Sequence, residues 1–400
     1  MSVRHTVARV DLGAVESNLR AISAFIAPRV PVLPLPSSRL APAASDLAPR
    51  VIAVVKANAY GHGAVPVGLA LERAGAAMLA CADIEEGIVL RRGGVRIPIL
   101  VFGALGISDL DGVLEYDLTP TISTPSAARA LAAKVRGQTP AVGATGGRPR
   151  TLRYHLKVDT GMNRLGFRHD NLDRTLPELA ASPDLEIEGV YTHFATADDP
   201  ESTHFPLQRE RFEQALKKID ALGLKPRYRH AANSAALLRD ERTWYDFVRP
   251  GLLLYGLVPP PLASTLPLRP ALSLHSRIVH VKGVRAGEAT GYGLKTPFAE
   301  PATIAVVPAG YADGLDRRLA GNGYMLVRGR RAPIVGSVCM DMTMIDVTGM
   351  EVSPGDHVVI VGEQDGASID VREMAAAIGT IPYELLCRVG TRIERVYAPS

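Results

Sequence analysis

Short apolar runs alternate with segments of helical periodicity over the first part of this 400-residue chain. The segments between the runs repeat apolar positions with the spacing of an amphipathic helix, as in 172–181 and 207–222. Alternating strands and helices predict parallel βαβ units. Eight such units in about 200 residues predict a (β/α)8 TIM-type barrel, with an open doubly wound sheet as the alternative. The strand-like runs are 51–55, 78–82, 98–102, 118–122, 152–158, 187–191, 227–230 and 247–254.

The pattern changes near residue 270. Strand-like segments such as 272–281, 303–308 and 357–361 are separated by Gly, Pro and Asp turns, with only short helical patterns between them. We therefore expect an α/β protein with an N-terminal barrel at 12–268, followed by a mostly-β C-terminal domain. That second domain comprises 269–400 together with 1–11, which alternate like a strand. Prolines over about 28–50 forbid a regular helix or a central strand, so we interpret this segment as an insertion in a surface loop.

Composition narrows the class of protein. Apolar residues make up 47% of the chain and charged residues 22%, which is typical of a globular protein. The 45 Lys and Arg against 41 Asp and Glu give a formal net charge of +4, and no basic cluster predicts nucleic-acid binding. Three widely separated cysteines indicate neither a disulfide framework nor a metal site. No apolar run reaches ~18 residues and no export signal is visible, so we expect a cytoplasmic protein without a membrane segment.

Polar side chains follow the ends of several predicted strands, which is where a barrel places its chemistry. Lys56 is the most informative, because it follows the fully apolar run 51–55 directly. Burial lowers the pKa of a lysine, and a neutral amine is a nucleophile toward aldehydes. From the strand alone, a structural lysine that extends its ammonium to water is the alternative. Other polar or glycine positions in or after predicted strands are Arg164, His193, Asn233, Ser234, Arg249 and Gly251.

The motifs around these residues resemble those of the alanine racemases. VVKANAYGHG at 54–63 resembles the pyridoxal phosphate motif of that family, and further motifs follow in the family's order along most of the chain. Together they are far more specific than any one of them alone. They are HLKVDTGMNRLGF at 155–167, YTHFATAD at 191–198, ANSAA at 232–236, VRPGLLLYG at 248–256, GYG at 291–293, AGYADG at 309–314, VCMDM at 338–342 and TIPYE at 380–384.

The resemblance implies an enzyme that holds pyridoxal 5'-phosphate covalently through Lys56. It implies that side-chain hydroxyls and backbone N–H groups bind the phosphate and that His193 lies against the cofactor ring. It also implies that Arg164 contacts the phenolate oxygen and helps to place the substrate. The implied cofactor-binding residues are Lys56, Tyr60, Arg164, His193, Asn233, Ser234, Arg249, Gly251, Leu252 and Tyr383.

Two basic residues carry further expectations. By resemblance, Arg249 faces the pyridine nitrogen. Because arginine stays protonated and only donates, the ring nitrogen should remain unprotonated and the ring should be a weak electron sink. Lys157 shares one face of a strand with His155 and Asp159, and a lysine inside a barrel needs a partner. In several relatives the equivalent lysine is carbamylated and pairs with the arginine that matches Arg164, so carbamylation of Lys157 is a hypothesis.

Racemisation needs a proton removed from one face of the α-carbon and returned on the other, which two bases achieve without moving. Lys56 is one candidate, and the resemblance assigns the other face to Tyr292. In relatives this tyrosine comes from the second subunit of a homodimer, as do the residues that match Met340 and Asp341. Tyr311 and Tyr383 would narrow the entrance to the site and favour a substrate with a small side chain such as a methyl group. The implied substrate-binding residues are Arg164, Tyr311, Met340 and Asp341.

The expected reaction is the interconversion of L-alanine and D-alanine, which would supply D-alanine for peptidoglycan. Three alternatives stay open at this point. One is a racemase for serine or a broader set of small amino acids. Another is a related decarboxylase, which should carry a cysteine–aspartate substrate motif. The third is a carrier of pyridoxal phosphate with the same barrel; that class lacks the β domain, so 270–400 and Tyr292 argue against it.

Overall fold

In the computed structural model, residues 5–27, 50–105, 110–137 and 151–398 are described. The proline-rich segment interpreted as an insertion lies outside these ranges, except for Arg50. The chain divides into two compact units. One comprises Val15–Ala57 and Ala64–Arg269, and the other comprises Met1–Ala14, Asn58–Gly63 and Pro270–Ser400. The short segment Asn58–Gly63, which follows Lys56, therefore belongs to a different unit from the strand before it.

The chain starts with β1 (Val7–Asp11) and α1 (Leu12–Ile26), and a parallel barrel follows. Its eight strands form a closed ring in the order β2-β3-β4-β5-β6-β8-β9-β10, because β10 pairs with β2 and β5 pairs with β6. The short strand β7 (Phe167–Arg168) pairs only with β6. The strands of the ring are β2 (Arg50–Val54), β3 (Met78–Cys81), β4 (Ile99–Val101), β5 (Thr119–Ile122), β6 (Leu152–Asp159), β8 (Leu185–Tyr191), β9 (Tyr228–Asn233) and β10 (Phe247–Arg249). This closure confirms the barrel and excludes the open sheet.

The helical segments of the barrel unit are mostly short. The longest, α9 (His204–Ala221), is amphipathic and buries Phe205, Phe212 and Ile219. The helix predicted over 172–181 is split in two at Pro177, since proline cannot donate the backbone hydrogen bond that would continue a helix. The other helical segments are α3 (Ala64–Arg73), α4 (Ile84–Arg92), α5 (Leu110–Glu115), α6 (Pro125–Gly137), α7 (Leu172–Thr175), α8 (Pro177–Ala180) and α10 (Ser234–Arg239). A further segment, α2 (Lys56–Tyr60), begins in this unit, and its residues from Asn58 onward belong to the second unit.

Apolar side chains from neighbouring strands pack together in the barrel unit. One buried cluster joins Ile52, Met78, Ala80, Leu100 and Phe247, which come from four neighbouring strands. Full burial of an aliphatic or aromatic side chain of this size contributes about 1.5–3 kcal/mol. This packing fixes the four strands relative to one another, and it therefore fixes the positions of the residues that follow their ends.

The second unit is built on a mostly antiparallel sheet in the order β12-β13-β16-β15-β14-β17-β11-β1-β19, which confirms the predicted β domain. The N-terminal strand β1 pairs with β11 antiparallel and with β19 parallel. The elements from residue 270 onward are β11 (Leu272–Arg277), β12 (His280–Val284), β13 (Ala302–Val307), β14 (Tyr324–Val327), β15 (Arg330–Val335), β16 (Thr343–Asp346), β17 (His357–Gln364), β18 (Ala367–Ile369), α11 (Val371–Ala377), α12 (Pro382–Cys387) and β19 (Glu394–Ala398). None of the helices in the described ranges has the length and apolar character needed to cross a bilayer.

Candidate active site

Lys56 stands where β2 ends. The backbone around it is fixed by neighbouring strands on both sides: the N–H of Val54 donates to the carbonyl of Pro250 at 3.1 Å, and that of Val55 donates to Ala80 at 2.8 Å. Arg249 is the last residue of β10, which pairs with β2. Lys56 and Arg249 are far apart in the sequence, yet they occupy the carboxyl ends of adjacent strands.

The backbone that follows Lys56 is left-handed. Ala57, Asn58, Ala59 and Tyr60 all have φ between 52° and 53°, so α2 is a single left-handed turn. This conformation costs roughly 1–2 kcal/mol for each residue that carries a Cβ. Backbone strain of this kind persists only where the surrounding structure holds it, and it is concentrated at functional sites.

Two glycines end this turn, and neither could be replaced without a clash. Gly61 has φ 82°, and a Cβ built on it would lie 2.2 Å from the carbonyl oxygen of Leu386. Gly63 has φ 99°, and its Cβ would lie 1.9 Å from the hydroxyl of Tyr397. His62 between them is buried, and its Nδ1 lies 2.9 Å and 3.0 Å from two backbone carbonyls. Because carbonyls only accept, Nδ1 carries the proton. Burial lowers the pKa of His62 to about 4, so the ring is neutral.

Arg249 is a buried cation that is held by neutral acceptors. Its Nη2 donates to the carbonyls of Thr192 at 2.7 Å and Ala231 at 2.8 Å, and its Nη1 donates to Nδ1 of His230 at 2.8 Å. A longer contact of 3.5 Å joins Nη2 to Nδ1 of His193. Burial lowers the pKa of Arg249 to about 10, which leaves it protonated at neutral pH. Its Nε has no hydrogen bond to any described residue, so one donor stays available for a ligand.

The bond to Arg249 fixes the protons on two buried histidines. Since arginine only donates, Nδ1 of His230 must accept, and its proton therefore sits on Nε2. That proton is donated to Nδ1 of His155, 2.8 Å away. The proton of His155 is then on Nε2, which lies 3.8 Å from Oε2 of Glu188. The result is a one-way chain that runs from a permanent cation through two neutral rings toward a carboxylate.

Tyr191 supports this cluster with its ring. It stacks on His230 with ring centroids 4.7 Å apart and an angle of 9° between the ring planes. The Arg249 guanidinium lies 5.2 Å from the centroid of the tyrosine ring, and the Lys157 ammonium lies 5.7 Å from it, within the range of cation–π attraction. The hydroxyl of Tyr191 is hydrogen-bonded to Thr121 at 3.0 Å.

Lys157 is buried and has neither an ion pair nor a hydrogen bond among the described residues. Burial lowers its pKa to about 8, and the positive charges of Arg164, Arg249 and Lys56 add to this effect, against an opposing contribution from Asp159. Arg164 is exposed and likewise has no ion-pair partner within the described ranges. Four cations therefore share this rim with the single carboxylate that acts on Lys157, which suits an anionic ligand.

A group of hydrogen-bond donors lies at the ends of β9 and β10. Asn233 caps α10 by accepting the N–H of Ala236 at 2.9 Å. The buried Ser234 hydroxyl accepts the N–H of Gly251 at 2.9 Å, so its own proton remains to be donated. Leu252 begins a 3-10 turn, and its N–H has no acceptor among the described residues. Phosphate oxygens, which only accept, would fit these donors.

The second unit holds the remaining predicted site residues, and two of its tyrosines are in contact. The rings of Tyr60 and Tyr383 lie 5.9 Å apart between centroids. Burial, followed by the effect of Tyr383, raises the pKa of Tyr60 far above its usual range, so its hydroxyl stays protonated and can donate.

Tyr292 is in a different situation, because its side chain is 76% exposed. Its ring and hydroxyl have no hydrogen bond or ring contact among the described residues. Only its backbone carbonyl is engaged, accepting the hydroxyl of Ser337 at 2.8 Å. The phenol is therefore accessible to another molecule.

The loop that carries Met340 and Asp341 is tied to the turn that contains Tyr311. The N–H of Tyr311 donates to the carbonyl of Cys339 at 2.9 Å, and the N–H of Ala312 donates to that of Met340 at 3.0 Å. Arg392 bridges two carboxylates, since its Nη2 lies 2.6 Å from Asp341 and its Nε lies 3.3 Å from the buried Asp313.

Sequence reasoning missed several residues of the buried cluster: Tyr191, His230, His155 and Glu188. A signal was present, since His155 and Lys157 share one face of a strand. The contacts of His155 come from β8 and β9, however, and only the closed barrel shows which residues meet across its interior.

Comparison with known proteins identifies the family. The model of the alanine racemase N-terminal domain matches residues 38–259, and that of the alanine racemase C-terminal domain matches 271–397. The chain is 41% identical over 397 residues to an alanine racemase of Symbiobacterium thermophilum, covering 99% of this chain and 97% of the relative.

Solved structures give the same result. Alanine racemase from Bacillus anthracis with bound L-Ala-P matches with a TM-score of 0.86 at 36% identity, over 100% of this chain and 96% of that one. Alanine racemase from a D-cycloserine-producing Streptomyces lavendulae matches with a TM-score of 0.89 at 33% identity, over 100% of this chain and 98% of that one. These similarities define an isomerase of the amino-acid racemase class. The chain belongs to the alanine racemase family.

Proposed function

We propose that this protein interconverts L-alanine and D-alanine with pyridoxal 5'-phosphate as cofactor, using Lys56 and Tyr292 as its two bases. The observation that carries the proposal is the pairing of β2 with β10, which brings Lys56 and Arg249 to the same rim of a barrel. Membership of the alanine racemase family, whose members use this cofactor, supports it. When bound, the cofactor delocalises the negative charge left on the substrate α-carbon by proton removal.

The donors of the barrel unit fit this cofactor. Ser234 and the N–H of Leu252 would donate to phosphate oxygens. Gly251, whose N–H holds the Ser234 hydroxyl, carries no side chain and would let the phosphate approach the backbone closely. Arg249 would offer its uncommitted Nε to the pyridine nitrogen, and because arginine is an obligate donor that nitrogen would stay unprotonated. By keeping that nitrogen unprotonated, Arg249 would favour prompt return of the proton over side reactions. The other residues that we propose for cofactor binding are Lys56, Tyr60, Arg164, His193, Asn233 and Tyr383.

The two bases act on opposite faces of the α-carbon. Lys56 would hold or release the proton on one face, and Tyr292 of a second copy of the chain would do so on the other. The exposure of Tyr292 supports this arrangement, because its own chain leaves the phenol uncovered. Met340 and Asp341 of that second copy would line the substrate site, with the Met340 backbone near the substrate carboxylate. Arg164 would help to place the substrate, and Tyr311 would narrow the entrance. The functional unit is then a homodimer with shared sites.

We also propose that Lys157 is carbamylated. As an unmodified lysine it is a buried amine among Arg164, Arg249 and Lys56, without an ion pair in the described ranges. A carbamate would replace this positive charge with a negative one and give Arg164 a partner. The intact mass of the protein measured under mild conditions would show the added carboxyl group, and an unmodified mass would remove this part of the proposal.

The direct test is a panel of amino acids assayed for loss of optical rotation in the presence of pyridoxal phosphate. We expect alanine to be racemised fastest; faster racemisation of serine would instead indicate the broader-specificity enzyme. Borohydride reduction of the loaded protein should fix the cofactor to the peptide that contains Lys56. Protein that stays colourless with the cofactor and leaves alanine unchanged would overturn the proposal.

The shared site has a test of its own. The variants Lys56→Ala and Tyr292→Phe should each be inactive alone, and Tyr292→Phe should retain the cofactor. A mixed dimer holds one site with both intact bases, so mixing the two variants should restore part of the activity. Absence of recovery, despite subunit exchange shown by mass spectrometry, would contradict the shared site. In the cell we propose a cytoplasmic role that supplies D-alanine for peptidoglycan.

A further inference from the structure

The carboxylate of Glu86 accepts two backbone hydrogen bonds at the ends of adjacent barrel strands. Oε1 accepts the N–H of Ala57 at 2.6 Å, and Oε2 accepts the N–H of Ala82 at 2.8 Å. Ala57 follows Lys56 directly, and Ala82 is the residue after β3. Glu86 is itself held, because it lies in the first turn of α4 and its N–H donates to the capping carboxylate of Asp83 at 2.8 Å.

The position of Ala57 makes the first of these bonds consequential. Ala57 is the first residue of the left-handed turn, and nothing in an alanine favours φ of 52°. A short hydrogen bond to a charged acceptor is among the stronger polar contacts in proteins. It fixes the peptide group that joins Lys56 to Ala57, and that peptide sets the direction in which the Lys56 side chain leaves the backbone.

We propose that Glu86 is a positioning residue for Lys56. Its carboxylate fastens the start of the left-handed turn to the end of β3 and thereby keeps the lysine amine aligned with the reacting atoms. This inference rests on the proposed function in so far as it assigns catalysis to Lys56. We call the two hydrogen bonds of the Glu86 carboxylate the clamp. Whether the clamp holds the left-handed turn can be tested whatever reaction the protein catalyses.

The geometry demands a carboxylate of this length. Glutamine has one accepting oxygen, so in Glu86→Gln one backbone N–H would face an NH2 group, which only donates. Aspartate keeps the charge but is one methylene shorter, so Glu86→Asp cannot span both amides without a shift of the backbone. Either change leaves the apolar core of the barrel untouched.

The chain offers a matched control in Glu72, near the end of α3. Its carboxylate also accepts two consecutive backbone N–H groups, those of Arg96 and Ile97, at 3.1–3.2 Å. Neither of those residues has a positive φ, and neither belongs to the proposed site. Glu72→Gln therefore removes the same kind of contact from the same unit without affecting the left-handed turn.

The first measurement is amide hydrogen exchange, followed by mass spectrometry, on peptides that cover 55–63. In Glu86→Gln and Glu86→Asp we expect exchange in this segment to accelerate about tenfold or more, because a buttressing hydrogen bond is lost. Glu72→Gln should leave this segment unchanged and accelerate only the peptide that contains Arg96 and Ile97. Unchanged exchange over 55–63 in both Glu86 variants, or equal acceleration in Glu72→Gln, would overturn the clamp.

The second measurement separates positioning from general damage. We expect kcat for alanine racemisation to fall about tenfold in Glu86→Gln while KM changes little, since misalignment of a base affects the chemical step. Wild-type kcat in a variant with accelerated exchange would overturn the assignment to Lys56. If the wild-type protein does not racemise alanine at all, the proposed function fails, while the exchange result still decides whether Glu86 holds the turn.

Discussion

Hydrogen-bonded histidine pairs occur in both units, and their surroundings differ. In the barrel, Nδ1 of His155 and Nε2 of His230 lie 2.8 Å apart, and the ring planes are inclined by 58°. On the sheet of the second unit, Nδ1 of His275 and Nε2 of His357 lie 3.1 Å apart, and the rings are stacked with an angle of 12°. Each pair joins Nδ1 of one ring to Nε2 of the other, so the main difference between the pairs is the groups that the outer ring nitrogens contact.

The barrel pair is bounded by charges. Arg249 donates at one end, and Glu188 lies at the other. A proton added to Nδ1 of His230 would point at the guanidinium, so burial and Arg249 lower the pKa of His230 well below its usual range. Burial also lowers the pKa of His155, with Glu188 acting in the opposite direction. The direction of this chain is therefore set by Arg249.

The sheet pair is bounded by neutral groups. Nε2 of Gln364 donates to Nδ1 of His357 at 3.3 Å, and Nε2 of His275 is hydrogen-bonded to the hydroxyl of Ser273 at 2.7 Å. Because the Gln364 amide nitrogen only donates, Nε2 of His357 donates to His275, and Nε2 of His275 donates to the hydroxyl. This chain also runs one way, but it begins and ends on neutral groups. We therefore infer that the terminal groups, rather than the pairing of the rings, decide what each pair does. In the barrel the pair ends on Arg249 and would orient that cation, whereas the other pair ends on an amide and a hydroxyl and would support the sheet.

Among substitutions in the two pairs, we expect His230→Phe to have the largest effect on stability and activity. The change keeps a ring against Tyr191 but removes the acceptor of Arg249 and the donor to His155. We expect the free energy of unfolding to fall by about 2–4 kcal/mol and kcat/KM for alanine to fall at least about tenfold. Urea unfolding and racemisation assays measure the two quantities.

The matched control is His357→Phe, which removes the corresponding ring nitrogens from the sheet pair. It should cost about 1 kcal/mol of stability and leave kcat/KM within about twofold of the wild-type value. Equal losses of activity in the two variants would show that the terminal groups do not determine what each pair does.

A smaller effect is expected from acid. Burial, with Arg9 and His357 adding to it, lowers the pKa of His275 to about 4, against 6.5 in the unfolded chain. The unfolded state therefore takes up a proton that the folded state refuses as the pH falls from 6.5 to 4. Stability is unaffected by this residue above pH 6.5 and decreases through that window, by about 1 kcal/mol between pH 7 and pH 5 after allowance for solvent screening.

The variant His275→Gln isolates this contribution, because glutamine does not titrate. The neighbouring His357 remains in this variant. Burial together with Arg9 and Arg277 lowers the pKa of His357, while Asp365 acts in the opposite direction. The difference in unfolding free energy between pH 7 and pH 5, measured with urea, should be smaller in the variant than in the wild type. An unchanged difference would indicate that acid acts elsewhere, for instance on the barrel pair.

The sequence predicted the barrel because strand and helix periodicities differ, and it located Lys56 because a lysine directly after a fully apolar strand is unusual. It could not predict the left-handed turn that follows. Gly61 and Gly63 carry a signal for positive φ, whereas Ala57 and Ala59 adopt it only because neighbouring groups hold them there.

The histidine pairs could not be predicted from the sequence for a different reason. The alternation along β6 placed His155 and Lys157 on one face, but a strand pattern does not reveal which residue lies opposite. The partner of His155 comes from β9, 75 residues later in the chain. The splitting of the predicted helix at 172–181 could have been predicted, because a proline at position 177 interrupts the hydrogen bonds of a helix.

The smallest effect is expected from Glu188→Gln at the far end of the barrel chain. The distance of 3.8 Å between Oε2 of Glu188 and Nε2 of His155 exceeds that of a hydrogen bond, and Glu188 also lies 3.8 Å from Arg153. Glutamine keeps the shape and removes the charge. We therefore expect kcat to fall only about twofold, with a change in stability below about 1 kcal/mol.

Gln364→Met is the matched change at the end of the sheet pair, and it should leave kcat unaltered. If Glu188→Gln instead costs as much activity as His230→Phe, the carboxylate acts on Arg249 through both rings despite the long contact. The barrel pair would then transmit charge rather than merely orient a donor. The dependence of kcat on pH distinguishes the two cases. If the histidines only orient Arg249, the pH profile of Glu188→Gln keeps the wild-type shape. If they transmit charge, the acid limb of the profile shifts, because removing the carboxylate makes His155 harder to protonate.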